Sequence, residues 1–153
     1  MYRKRLNGQG GFSLIELIIV IAVLGILGAI ASYSYMGYVN NSNLRSAARD
    51  MAADMANTKQ KAVSERLTYR TIISVDANTY TIERGDAAGT TFTVVETKSP
   101  TAFGTGLTIS STNYTSSQIT YQPRDTISAG SVVLINSRDS TATITSNITG
   151  RTH

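Results

Sequence analysis

Residues 11–31 read GFSLIELIIVIAVLGILGAIA and carry a single charge, Glu16. A membrane-crossing helix needs about 20 mostly apolar residues, because roughly 30 Å of hydrocarbon is covered at about 1.5 Å per residue. Residues 12–31 meet that requirement. A carboxylate near the middle of a bilayer costs roughly 3 kcal/mol or more and is seldom kept there without a partner. The stretch therefore reads as a membrane helix whose Glu16 awaits a second group. Arg3, Lys4, Arg5 and a glycine-rich approach over residues 7–11 come first, and cationic flanks orient a span with that end in the cytoplasm. Two other readings share these features. A secretory signal peptide has a basic start, an apolar stretch and a small-x-small site, which Ala29, Ile30 and Ala31 supply, although a carboxylate is rare in its apolar part. A plain uncleaved anchor needs only the span and the cationic flank.

Beyond the span the helical pattern continues. Leu44, Ala48, Met51, Met55 and Ala62 fall at helical spacing with Ala47, Ala52 and Ala56 beside them, while Arg45, Arg49, Asp50, Asn57, Lys61 and Glu65 take the other sides. No proline occurs before Pro100. The pattern predicts one helix from about residue 13 to about residue 65, with residues 37–43 the place for a bend because Asn40, Asn41, Ser42 and Asn43 weaken helix propensity. After Glu65 the period switches to two. Residues 69–75 and 79–83 flank Asp76, Ala77 and Asn78, a hairpin signal, and further strands are expected at 91–96, 107–110, 118–122, 132–136 and 141–146. Turn-rich separators lie between them. The expected class is α+β: a long N-terminal helix, then about seven short strands in antiparallel sheets packed on it.

Three basic residues, then Gly11, Phe12 and Glu16 opening a long apolar helix, resemble the class III signal of type IV pilins and pseudopilins. The resemblance implies a pilin-like lollipop with a leader at 1–11, a transmembrane or filament-core helix at 12–31, an amphipathic continuation at 32–65 and a β-rich domain at 66–153. It implies processing between Gly11 and Phe12 by a prepilin peptidase/methyltransferase, which also methylates the new Phe12 amine. It makes Glu16 the assembly residue, meeting the terminal amine of a neighbouring subunit. Opposite charges about 4 Å apart in a low dielectric offset each other's desolvation. The implied partners are other pilins or pseudopilins in a helical filament and an inner-membrane assembly platform. The implied place is a single-pass inner-membrane precursor with a periplasmic C-terminal domain, then a pseudopilus or surface pilus. Gly25 matches the glycine at which this helix partly melts in type IV pilins, but Tyr33 stands where their proline would be.

A narrower resemblance, to the GspH/FimT family of minor pseudopilins and minor pilins, is carried by Leu44, Arg45, Ala47 and Ala48 leading to Met51, Asp54, Met55, Lys59 and Ala62. It is carried again by Tyr121, Pro123 and Arg124 within ITYQPRDTISAG, residues 119–130, with Asp125 where glycine is usual. The implied function is a structural, non-enzymatic and minor subunit of a type IV pilus or a type II secretion pseudopilus. Some FimT-like minor pilins bind DNA through a terminal G-R-x-R. Gly150 and Arg151 match its start and His153 replaces the second arginine, so Arg151 is a candidate DNA contact opposed by the nearby carboxylate terminus.

Composition narrows the alternatives. The chain has 14 Lys+Arg against 10 Asp+Glu, but three of the basic residues lie in the leader, leaving eleven against ten after processing. Net charge thus gives no case for a generally nucleic-acid-binding protein. With no cysteine there are neither disulfides nor thiolate metal sites. The one histidine is His153, so a His-based triad has no base within the chain's body, and no cofactor or metal is expected. Asp76, Asp86, Asp125 and Asp139 lack EF-hand spacing. Asn40, Asn113 and Asn147 each open an N-x-Ser/Thr sequon, a frequent chance match in so hydroxyl-rich a chain.

Overall fold

The computed structural model describes residues 12–124 and 126–147, the side chain of Tyr33 excepted. Two compact units divide the chain at Met36 and Gly37. One helix, α1 (Leu14–Glu65), belongs to both and runs without interruption through the asparagine-rich residues 40–43. In the first unit its apolar side chains, from Leu14 to Ile30, are exposed.

The second unit holds the rest of α1 and seven strands: β1 (Tyr69–Ser74), β2 (Thr79–Gly85), β3 (Phe92–Lys98), β4 (Thr108–Thr112), β5 (Gln118–Tyr121), β6 (Gly130–Ile135) and β7 (Thr141–Ser146). All seven expected strands are present, with ends shifted by a residue or two. They form two antiparallel sheets, β3-β2-β1-β5 and β4-β6-β7. The expected hairpin joins β1 to β2 with Ser74 opposite Thr79. Alternation places Tyr69, Thr71 and Ile73 of β1 in the core with Tyr80, Ile82, Ile119 and Tyr121, while the second sheet adds Ile109, Val132, Leu134 and Ile144.

From α1 the core takes Leu44, Ala47, Met51, Met55, Thr58 and Ala62. The stripe therefore runs through Ala47, and Ala48, expected there, is only partly buried. Thr58, an unexpected core member, satisfies its hydroxyl by donating to the Asp54 carbonyl oxygen at 2.7 Å, which makes its burial tolerable. The helix ends without glycine: Arg66 adopts φ 56° and the Leu67 N–H donates to the Ala62 carbonyl at 3.2 Å. That is a Schellman stop, and Leu67 packs on the core beside it. A non-glycine residue in this conformation costs about 1–2 kcal/mol, partly offset by the lower unfolded-state entropy of arginine. Arg66→Gly is thus expected to stabilise the fold by about 0.5–1 kcal/mol, read as a thermal midpoint about 3 °C higher.

The tip of the first hairpin ties the sheets together. Asn78, at φ 53°, donates its side-chain N–H to the Leu107 carbonyl at 3.0 Å and accepts from the Ile109 N–H at 2.8 Å. Its amide therefore occupies the free edge of β4 as a strand would.

Candidate functional site

The start of α1 is built around Ser13. Its Oγ accepts the Glu16 N–H at 3.2 Å, and its carbonyl accepts the Leu17 N–H at 3.2 Å. Ser13 is therefore the N-cap and Glu16 the third helical residue, the S-x-x-E spacing of a capping box. Sequence reasoning passed over this cap although the spacing was visible. The cap holds Glu16 in the first turn, where the positive end of the helix dipole favours a carboxylate. Among the described residues no cation forms an ion pair with it. Phe12 stands just outside the cap and is 83% exposed. Gly11 and Arg151 lie outside the described residues, as do Asp125, Gly150 and His153.

Further along, a Cβ added to Gly25 or Gly28 would meet nothing within 4 Å. Neither glycine is demanded by packing within the chain, yet each costs its helix about 1 kcal/mol relative to alanine. The Ser32 hydroxyl donates to the Gly28 carbonyl at 2.8 Å, a back-bond that slightly weakens a helix.

In the second unit the asparagine run is a docking site. Asn40 Nδ2 lies 3.4 Å from Ser137 Oγ, and Asn136 Nδ2 donates to Asn41 Oδ1 at 3.0 Å. A Cβ on Gly104 would come within 2.7 Å of Asn43, and one on Gly37 within 2.8 Å of the Arg138 guanidinium. Two loops, around residues 103–106 and 136–140, thus seat on this stretch of helix.

Asp54 joins α1 to the first sheet. Lys98 Nζ donates to its two oxygens at 2.9 and 2.8 Å, and the Tyr80 hydroxyl donates to Oδ2 at 2.7 Å. Asp50 and Glu96 stand 3.7 and 3.8 Å from the same ammonium. Of the other residues singled out in the sequence, Met51, Met55, Ala62 and Tyr121 are core, whereas Arg124 is exposed beyond β5, where the chain turns back to pair Tyr121 with Ile127.

These buried hydroxyls set an alkaline limit. Burial, then the bond to Asp54, pushes the Tyr80 hydroxyl far above its ordinary 10.0. Burial also raises Tyr121 and Tyr114, while the hydrogen bond to Asp54 raises Lys98 above 10.5. All four have folded values above their unfolded ones, so their stabilisation is complete below about pH 10 and is lost as pH rises beyond it. Unfolding free energy is expected to fall above about pH 10 by up to about 1.4 kcal/mol per pH unit for each tyrosine the fold keeps protonated. Denaturant titrations at neutral and strongly alkaline pH check this, and Tyr80→Phe should flatten the fall.

The prokaryotic N-terminal methylation motif matches residues 6–32. No curated protein sequence matches the chain. Among solved structures, the minor pseudopilin EpsH from the type 2 secretion system of Vibrio cholerae is similar at TM-score 0.61 and 11% identity, over 72% of this chain and 94% of that one. A second EpsH structure gives TM-score 0.61 at 8% identity, over 73% and 95%. The type IV minor pilin FimU of Pseudomonas aeruginosa gives TM-score 0.57 at 17% identity, over 76% and 90%. At these identities the likeness shows the fold.

Proposed function

We propose that this type IV pilin-like chain is a minor structural subunit of a type IV pilus or a type II secretion pseudopilus. It is cut after Gly11, N-methylated at Phe12 and assembled through its N-terminal helix. The observation that carries the reading is an apolar helix start, unburied within its own chain, that bears a prepilin-type methylation motif in a chain of pilin-like fold. So much exposed apolar surface is untenable in water, and a bilayer and then a bundle of like helices are its two successive solvents.

The precursor spans the inner membrane once, leader in the cytoplasm and residues 66–153 in the periplasm. A prepilin peptidase/methyltransferase releases residues 1–11. Residues 12–31 then pass into the filament core, and an assembly platform drives the transfer. Glu16 supplies register: a subunit whose Phe12 amine neutralises a neighbour's carboxylate is favoured over one that leaves it bare. Gly25 and Gly28, without a task inside the chain, allow neighbouring helices to approach closely.

The deciding experiment is mass spectrometry of the mature amino terminus. N-methylphenylalanine from position 12 is expected. A mature chain that begins elsewhere, such as after Ala31, or one that retains its leader, sinks the proposal.

A further inference from the structure

We propose that Tyr35, seconded by Tyr38, is an interfacial anchor that sets the depth of α1 in a bilayer, with the headgroup–water boundary as its partner. This rests on the membrane reading above. Tyr35 is 69% exposed and Tyr38 74%, so the chain's own core makes little use of either ring. A tyrosine has an apolar body and a polar tip, and it collects where hydrocarbon gives way to headgroups. These two stand at such a boundary in the helix. On the amino-terminal side the apolar side chains are exposed all along the span. On the other side Asn40 and Asn41 are engaged by the 136–140 loop, so hydrocarbon cannot extend past them.

Spacing makes the inference specific. Tyr35 follows Glu16 by nineteen positions within α1, about 28 Å of helix, against about 30 Å of hydrocarbon. With the Tyr35 ring at one headgroup boundary, Glu16 reaches the other, on the side of Arg3, Lys4 and Arg5. The helix thus carries its two polar markers one hydrocarbon thickness apart. The hydrocarbon then runs from about residue 16 to residue 35 rather than from 12 to 31, so Glu16 stays hydrated while the subunit waits in the membrane and its carboxylate loses water only when the helix leaves the bilayer. A slip by one turn, about 5.4 Å, would draw either the carboxylate or the ring into hydrocarbon.

The chain has no tryptophan, so a single introduced indole reports depth. The full-length precursor carrying Tyr35→Trp, or Ile26→Trp near the midpoint, is reconstituted in phosphatidylethanolamine–phosphatidylglycerol vesicles. These are doped with lipid brominated either near the headgroup or near the acyl-chain tip. At position 35 the shallow label is expected to quench several-fold more than the deep one, and at position 26 the order reverses. No quenching at position 26 by either label overturns the membrane reading and the anchor with it. Deep quenching at 26 with deep or absent quenching at 35 overturns the anchor alone. Adding Tyr35→Ala and Tyr38→Ala to Ile26→Trp should bring the deep-to-shallow ratio towards one, and an unchanged ratio overturns the depth-setting role.

Discussion

Glu16→Ala is expected to cut incorporation into filaments by about thirtyfold or more, while membrane insertion and leader cleavage stay within about twofold of normal. The first figure follows from burying a charge pair and then removing one partner. Truncating one side of a desolvated pair costs about 2–5 kcal/mol, and each 1.4 kcal/mol is a factor of ten. The second follows from the local structure. What Ser13 Oγ accepts is the Glu16 backbone N–H, so the N-cap survives the substitution. Alanine is moreover the better helix former, and its methyl group lengthens the apolar span. Only the carboxylate is lost.

The measurement is the ratio of variant to native subunit in sheared, purified filaments, set against the membrane pool and the identity of the amino terminus. Normal incorporation of Glu16→Ala would count decisively against the register role. Glu16→Gln sharpens the test, because an amide keeps the length and a hydrogen-bonding oxygen but cannot neutralise an ammonium. It is expected to behave much like the alanine variant.

Periodicity made the elements legible. A 3.6-residue repeat through Leu44, Met51, Met55 and Ala62 and a two-residue repeat in YRTIIS and TYTIERG are local signals, and each survives in the structure because burial on one face selects it. Partnership between elements is not local. Nothing in the composition of β1 indicates that its second neighbour is β5, about fifty residues on, with Tyr69 opposite Tyr121, or that β4 joins β6 and β7 instead. Polar residues carry more than their local propensity. Asn40, Asn41 and Asn43 are poor helix formers, yet the helix continues through them and the loops at residues 103–106 and 136–140 engage them. Asn78 read as a turn residue, which it is, but its amide also spans to Leu107 and Ile109 in the other sheet. The methylation motif at residues 6–32 was legible as a basic start, Gly11, Phe12 and Glu16 ahead of an apolar run, whereas the Ser13 cap beside it went unread.

Asp54→Ala is expected to destabilise the fold by about 3 kcal/mol. It removes the acceptor for two donors that come from different strands onto one helical residue. Tyr80 is 4% exposed, so its hydroxyl loses its partner with little recourse to water, a loss of about 1–3 kcal/mol. Lys98 is partly exposed and retains Asp50 and Glu96 as weaker neighbours, which holds its share to about 1 kcal/mol. Asp54→Asn keeps an oxygen for Tyr80 and should cost about half as much. Double-mutant cycles of Asp54→Ala with Lys98→Met and with Tyr80→Phe are expected to show coupling of about 0.5–3 kcal/mol each, and strict additivity in both would mean the three groups do not act together. Guanidinium unfolding of the detergent-solubilised chain reads these values. The two acidic variants also part in the cell: Asp54→Ala should deplete the membrane pool by exposing an unfolded domain to proteolysis, whereas Glu16→Ala should leave that pool intact and lose the subunit only from the filament.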